Sequence, residues 1–321
     1  MFKSTSIGVK NSTLVLNLRR IPGVAMMLIL IILIFGFLSK DFFLLTNLTN
    51  IGLQSSILLL ISLPMTLVIM TEGIDMSIGA LLTLCGVVMA YTLTKTSSLP
   101  VAILISLICG FLIGLINGSI IVYFKMPPFV VTLGTLGICQ SLSLVITDGQ
   151  SITDIGNSIQ LAYSGAILGI ATPLVFSLAA YFLTHFLLYQ TRFGVYVCAI
   201  GGNRDSLNLA GIRTNLYHLA VYAFSGLMAG VASILLTARM SAGHPTAAIG
   251  MEFDAIAAVV VGGTSFEKGN GWLLGTVLGV LAVGALRNGL NLLGIPSSVQ
   301  VASIGLLVLV ALLIDSFKSK Q

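Results

Sequence analysis

The stretch Gln190–Asn215, reading QTRFGVYVCAIGGNRDSLNLAGIRTN, is a polar interruption between two long apolar runs of the sequence. It contains Arg192, Arg204 and Arg213, which are three of the chain's 15 Lys and Arg residues. Polytopic membrane proteins concentrate Lys and Arg in their cytoplasmic loops. We therefore predict that Gln190–Asn215 is the largest cytoplasmic surface of an integral membrane domain.

The composition of the 321-residue chain excludes several classes of protein. Hydrophobic residues make up 57% of it and charged residues 8%, and the mean hydropathy is +1.08. A soluble protein of this composition would expose too much apolar surface, and a β-barrel would show short alternating segments instead of long apolar runs. The net charge of +5 is spread over loops and ends, so it indicates membrane orientation and no nucleic-acid partner.

Ten apolar segments, most of them long enough to cross a bilayer, are the predicted spans. They are Ile21–Leu38, Ile51–Met70, Ile78–Leu93, Pro100–Phe124, Phe129–Thr147, Ala171–Tyr189, Leu216–Ala238, Phe253–Val261, Trp272–Leu290 and Ser298–Ile314. The predicted fold is thus an all-α polytopic membrane protein of about ten transmembrane helices. An even number of spans puts residues 1–20 and 316–321 on one side as basic cytoplasmic tails, flanking one transmembrane domain over 21–315.

Two pairs of segments indicate a weak internal repeat. Thr71–Ser77 resembles Ser241–Asp254 in its acidic and small polar residues, and Cys109–Pro128 resembles Leu278–Pro296 in its Gly, Asn-Gly and Pro positions. Both pairs are offset by a similar length. Because the two copies begin on opposite sides of the membrane in the predicted topology, the repeat is an inverted one. Phe253–Val261 is too short to span alone, so we predict a broken helix there.

Glycines four residues apart occur at Gly110 and Gly114 and again at Gly226 and Gly230. Small residues at this spacing allow the backbones of two membrane helices to approach closely. The sequence therefore predicts tight helix–helix packing at both places.

Four acidic residues require an explanation in a chain that has only ten. Glu72, Asp75, Glu252 and Asp254 all fall at the ends of predicted spans, where a carboxylate can accept hydrogen bonds from the free N–H groups of a helix start. We predict that these acids cap helix starts, or that they gate a route through the membrane. A proton relay through them stays open as the alternative, because ionisable groups inside a membrane are usually functional.

The motifs of the common enzymes and cofactor sites are missing from the sequence. It has no G-x-x-x-x-G-K-[ST] loop for nucleotide and no H-E-x-x-H for zinc. Its four cysteines form no C-x-x-C pair. We therefore predict no catalytic residue, no bound metal and no cofactor on this chain, and place any ATP on another subunit.

Several long stretches resemble the permease subunit of ribose-type ABC sugar importers. They are Met65–Leu82 (MTLVIMTEGIDMSIGALL), Phe129–Thr135 (FVVTLGT), Arg192–Ile212, Gly250–Phe266 (GMEFDAIAAVVVGGTSF) and Arg287–Ile295 (RNGLNLLGI). The chain departs from the family where small residues usually follow Gly202-Asn203, since it has Ser206, Leu207, Asn208 and Leu209.

This resemblance implies a set of partners and a location. A second copy of this subunit, or a similar one, would enclose the sugar path in the bacterial cytoplasmic membrane. Two ATPase subunits carrying ATP and Mg²⁺ would dock on the cytoplasmic face, and a soluble binding protein would deliver the monosaccharide from outside. Pentoses, hexoses and furanosyl signalling compounds all fit. The alternative is a proton-coupled secondary sugar transporter, which would place carboxylates near the membrane midplane.

Two groups of residues are the predicted sites. In the polar segment, Asn203 or Asp205 can cap a short helix of Ser206–Ala210 that ends at Gly211 and displays its side chains to an ATPase. The predicted coupling residues are Arg192, Gly201, Gly202, Asn203, Arg204, Asp205, Leu207, Leu209, Gly211 and Ile212. A sugar needs hydrogen-bonding groups along a dry route, and Thr132, Thr135, Gln140, Ser141, Asn288 and Asn291 supply them. Helix–helix hydrogen bonding is the alternative role for these six residues.

Overall fold

The computed structural model of the protein describes residues 10–265 and 269–319, with side chains over 23–309 except at positions 157 and 266–268. Within this part, all elements but one short hairpin are helical. The first half contains α1 (Lys10–Leu38), α2 (Leu45–Met70), α3 (Ile78–Thr96), α4 (Leu99–Tyr123) and α5 (Pro128–Thr147), then a 3₁₀ turn over Asn157–Ile159. The second contains α6 (Leu161–Ser164), β1 (Ala166–Ile167), β2 (Ile170–Ala171), α7 (Thr172–Gln190), α8 (Arg192–Leu209), α9 (Thr214–Met240), α10 (Met251–Val261), α11 (Leu273–Leu292) and α12 (Ser297–Ser319).

Every predicted span falls on one of these helices. Among the described residues, seven helices are long and apolar enough to cross a membrane, namely α2, α3, α4, α5, α7, α9 and α11. The all-α polytopic class is therefore confirmed. The helices α1 and α12 extend into the predicted tails, from Lys10 and to Ser319, while residues 1–9 and 320–321 lie outside the described part of the chain.

The distribution of apolar side chains is that of a protein surrounded by lipid. The central helix α2 is buried along most of its length, and its side chains form much of the main core together with those of α3, α9 and α10. The outer helices α4, α5 and α7 instead expose large apolar residues such as Phe111, Ile138 and Phe182. A soluble protein would cover such continuous apolar surface, so these faces are suited to contact with lipid or with another membrane helix.

The two G-x-x-x-G pairs bring α4 and α9 into backbone contact. A Cβ atom at Gly114 would overlap the carbonyl oxygen of Tyr222, and one at Gly226 would overlap the carbonyl oxygen of Gly110. Only glycine leaves room for this approach. The packing predicted from the glycine spacing is thus confirmed.

Two helices begin inside the bundle and not at its surface. The segment before α3, Thr71–Ser77, is non-helical and largely buried. The start of α10 lies beside the start of α3. The two approach so closely that a Cβ atom at Gly79 would overlap the Glu252 carboxylate. The Thr83 hydroxyl accepts a hydrogen bond from the Ala248 amide at 3.1 Å. This arrangement satisfies backbone groups of a broken helix within protein, as a membrane requires.

Candidate functional site

Asp75 is the centre of a buried polar network where α3 begins. Its side chain is 1% exposed. Its Oδ1 atom accepts hydrogen bonds from the Ser77 amide at 3.0 Å and from the Ser77 hydroxyl at 2.6 Å. Its Oδ2 atom accepts one from the Ser225 hydroxyl of α9 at 2.8 Å. Asp75 therefore holds the start of α3 through Ser77, the N-cap residue, and through Ser225 of α9. It does not cap the helix itself, because no side chain accepts a hydrogen bond from the free N–H groups of the first turn of α3.

The network continues into α4 and α5. The Asn117 amide donates to the Ser77 hydroxyl at 3.0 Å, and the Thr135 hydroxyl donates to the Asn117 carbonyl oxygen at 2.6 Å. The Thr132 hydroxyl accepts from the Met76 amide at 3.1 Å. Two of the six predicted path residues, Thr132 and Thr135, therefore bind the interrupted backbone and its neighbours.

The other four predicted path residues lie elsewhere in the molecule. Gln140 donates to the Pro245 carbonyl oxygen at 3.3 Å, and Ser141 lies on the exposed side of α5. Asn288 exchanges two amide hydrogen bonds with Asn47 of α2, at 2.8 and 2.9 Å. Asn291 accepts from Gln300 at 2.7 Å. The six residues therefore do not line one continuous route within this chain, and five of them form hydrogen bonds with neighbouring segments.

The four acidic residues have different environments. Glu72 is exposed and has a φ of 60°, whereas Asp75, Glu252 and Asp254 are buried. The Glu252 Oε1 atom accepts from the Gly250 amide at 3.3 Å, which is a contact with the start of α10. The expectation that these acids sit at span ends is correct in sequence. In space, however, α3 and α10 begin within the bundle, so three of the four acids are buried and only Glu72 is exposed.

Asp254 is held by a cation and not by a helix start. Its carboxylate contacts the Arg287 guanidinium of α11 at 2.8 Å. The capping role predicted for Asp254 is therefore corrected to an ion pair. Sequence reasoning did not single out Arg287, although a basic residue inside an apolar run is a signal that a partner of opposite charge lies nearby.

The polar segment after α7 is a helix with a break, which corrects the predicted loop. α8 runs from Arg192 to Leu209 and has non-helical φ and ψ angles of −162° and 93° at Asn203. The Asn203 side chain accepts a hydrogen bond from the Ser206 amide at 2.9 Å. The predicted cap at Asn203 is thus present. Gly211 has a φ of 76°, and Ile212 donates to the Leu207 carbonyl at 3.0 Å, so the predicted stop is present as well.

The first arm of α8 is fixed against the bundle by its glycines. A Cβ atom at Gly201 would overlap the carbonyl oxygen of Met70, the last residue of α2, and would contact Gly269 closely. Gly194 makes a similar approach to the backbone of Leu188 in α7. The first arm of α8, from Arg192 to the break at Asn203, therefore packs directly on the ends of α2 and α7.

The second arm of α8 is tied to α9 and faces outward. Arg204 donates to the Asn215 side chain at 3.0 Å, and the Thr214 hydroxyl donates to Asn208 at 2.7 Å. Leu209 is 90% exposed. Of the remaining predicted coupling residues, Arg192, Gly202 and Asp205 are exposed while Leu207 and Ile212 are half-buried.

Among the described residues, no group of three or more His, Cys, Asp or Glu side chains could hold a metal ion. The bundle of apolar helices, with two helices that begin in its interior and a broken helix exposed at one end, is that of a polytopic membrane protein. Residues 47–314 match the family described as branched-chain amino acid transport system / permease component. No solved structure matches the chain significantly.

Curated relatives narrow this class. The chain is 39% identical to the ribose import permease protein of Bacillus subtilis over 294 residues, which cover 91% of each chain. It is 38% identical to the ribose import permease protein of Escherichia coli K12 over 295 residues, 91% of this chain and 92% of the relative. It is 36% identical to the D-allose transport system permease protein of the same strain over 93% of this chain and 92% of the relative. The chain therefore belongs to the permease subunits of ribose-type ABC sugar importers, a family of transport subunits and not of enzymes.

Proposed function

We propose that this chain carries a monosaccharide across the bacterial cytoplasmic membrane as one of two permease subunits. A soluble binding protein delivers the sugar, and a separate ATPase subunit binds all the ATP and Mg²⁺. The names of the relatives specify ribose, D-allose and, for a protein of Photorhabdus luminescens that is 32% identical, autoinducer 2. These names support a pentose, a hexose or a related furanosyl compound as the cargo.

The observation that carries this proposal is the form of α8. Its first arm is packed on the ends of α2 and α7 through Gly201 and Gly194, and its second arm carries the exposed Leu209. An apolar side chain at the tip of a short rigid arm is suited to entering a groove on another protein. Movement of that partner would then act directly on the membrane helices. We assign this contact to the ATPase.

The orientation follows from the same assignment. If α8 faces the cytoplasm, both ends of the chain do so as well, because α8 and the two termini are separated by even numbers of the predicted spans. The Lys and Arg side chains within positions 1–20 and near the C-terminal end favour this orientation by the positive-inside rule.

We also propose an inverted repeat that relates α2–α5 to α9–α12. The starts of the paired helices are separated by about 170 residues in each case, as an internal repeat requires. The packing agrees with this pairing, because α3 lies against α4 and α5 while α10 lies against α11 and α12, and α2 and α9 contact each other. The buried starts of α3 and α10 occupy equivalent positions, which supports a transport path near their meeting point.

Replacing Leu209 with Asp tests the role of α8. A charge at this exposed site should not harm the isolated permease, but docking would bury it without a partner, at a cost of about 3–5 kcal/mol. We expect the variant to insert normally, to lose the ATPase on purification, and to lose sugar-stimulated ATP hydrolysis. Leu209→Met keeps the apolar contact and serves as the control. If Leu209→Asp retains the ATPase at wild-type affinity, α8 is not the docking element.

A further inference from the structure

The segment between α5 and α7 lies on the face of the bundle opposite α8, and its two halves differ in character. The first half carries Asp148 and Asp154 and is tied to the loop before α10. Ile152 and Gly243 exchange two backbone hydrogen bonds of 2.9 Å, and Ser151 contacts His244. The second half, Leu161–Ala171 (LAYSGAILGIA), contains no charged residue.

This second half folds into a hairpin with an apolar tip. In the hairpin, Ile167 pairs with Ile170 across the two strands, and both side chains are exposed. The two turn residues, Leu168 and Gly169, have φ angles of 54° and 80°, as a two-residue hairpin turn of type I′ requires. Leu168 is 97% exposed.

A leucine at this position is unusual for two reasons. Positive φ is disfavoured for a bulky side chain, and such turns normally carry Asn, Asp or Gly. A fully exposed leucine in water also gains nothing from burial. An observed backbone outlier of this kind is a reason to look for a function at that residue, and the function must use an apolar side chain.

The position of the hairpin relative to α7 indicates what surrounds the tip. β2 ends at Ala171 and α7 begins at Thr172. The 19 residues of α7 measure about 28 Å at 1.5 Å per residue, close to the ~30 Å of the hydrocarbon core. Nearly all of α7 is needed to cross it, so the hairpin lies at the membrane boundary. α7 itself exposes apolar rings at Phe176 and Phe182, as a helix that crosses the hydrocarbon can.

The base of the hairpin has the composition of a membrane interface. Tyr163 is half-buried there, and burial raises the pKa of its hydroxyl above the ordinary value while the nearby Arg239 lowers it. Tyrosine and arginine are typical of the boundary between lipid and water. A docking site for a soluble protein has a polar rim around its apolar patch, whereas Leu161–Ala171 itself contains no charged residue.

We propose that the hairpin Ala166–Ala171 is a lipid anchor that inserts Leu168 into the interfacial region of the bilayer. The anchor holds one end of the segment in the membrane. The hydrogen bonds of Ile152 with Gly243 connect the other end to the loop before α10. The anchor thereby fixes the position of the segment that covers this face of the transporter.

Fluorescence can test the anchor, because Trp272 is the chain's single tryptophan and is buried. Leu168→Trp adds a second tryptophan at the tip, and subtraction of the parent spectrum isolates its emission. Gln150→Trp, at an exposed polar turn of the same segment, is the matched control. The full importer is reconstituted into bilayers of ordinary or tail-brominated phosphatidylcholine, with and without its binding protein. Ile170→Trp provides a second probe if Leu168→Trp does not fold.

The anchor predicts that tail-brominated lipid quenches Leu168→Trp and that aqueous acrylamide does not, with or without the binding protein. Gln150→Trp should show the reverse. Three results overturn the proposal. Acrylamide quenching as strong as in the control would place the tip in water. Protection that requires the binding protein would make the hairpin a protein docking site. Protection from acrylamide without any quenching by brominated lipid would mean that another protein surface covers the tip.

Discussion

Replacing Asp75 distinguishes a structural role at the start of α3 from a role in proton transfer. Asn has the shape of Asp, and its carbonyl oxygen can accept both hydrogen bonds from Ser77, while its amide can donate to a rotated Ser225 hydroxyl. Asn cannot carry a proton through the pH range of transport. Ala removes every one of these contacts. The two substitutions therefore distinguish a carboxylate that holds the start of α3 from one that must titrate.

The expected sizes follow from the three hydrogen bonds. Each bond in a membrane bundle is worth about 1–2 kcal/mol, so Asp75→Ala should lower the free energy of unfolding by about 3–5 kcal/mol when it leaves buried donors without partners. Asp75→Asn should lower it by about 0.5–1 kcal/mol, which is the electrostatic contribution of a carboxylate at a helix N-terminus. Ser225→Ala removes one of the three bonds and should fall between them, at about 1–2 kcal/mol.

Two measurements on each variant test the reasoning. Unfolding of the purified permease in detergent gives the order of stability, and uptake by the reconstituted importer gives function. We expect Asp75→Asn to fold nearly as stably as the wild type and to retain most of its uptake, while Asp75→Ala loses both. If Asp75→Asn unfolds like the wild type but transports nothing, the carboxylate takes part in transport and the purely structural explanation is refuted.

Two further predictions concern packing. Gly114→Ala should destabilise the permease by about 1–3 kcal/mol through overpacking, because the new methyl group overlaps the carbonyl oxygen of Tyr222. The control Gly137→Ala, at a site where no atom lies within 4 Å, should change the free energy of unfolding little. Equal effects of the two substitutions would contradict close packing of α4 on α9. Arg287→Gln should lower the free energy of unfolding by about 3–5 kcal/mol, because it leaves the Asp254 carboxylate buried without its partner. Adding Asp254→Asn to this variant should restore much of the lost stability. Additive losses in unfolding measurements would instead show that the two residues are not coupled.

The sequence alone determined where the membrane-spanning helices lie and how the second arm of α8 begins and ends. Apolar runs of span length predict helices because a bilayer leaves no other partner for the backbone. The local signals at the second arm of α8 were sufficient too, since Asn203 caps it and Gly211 ends it as predicted. A cap depends on residues within one turn of each other. The family could also be assigned from the sequence, because its motifs are continuous stretches.

Only the tertiary structure decided which polar side chains meet. Asn47 binds Asn288 across 241 positions of the chain, and Asp254 pairs with Arg287. Nothing in the composition of either helix specifies these pairs, because a membrane helix satisfies its own backbone and its partner is chosen by packing. The burial of Asp75 has the same origin. Its place at the end of an apolar run was visible in the sequence, but that end lies inside the bundle because the neighbouring helices α4, α5 and α9 surround it.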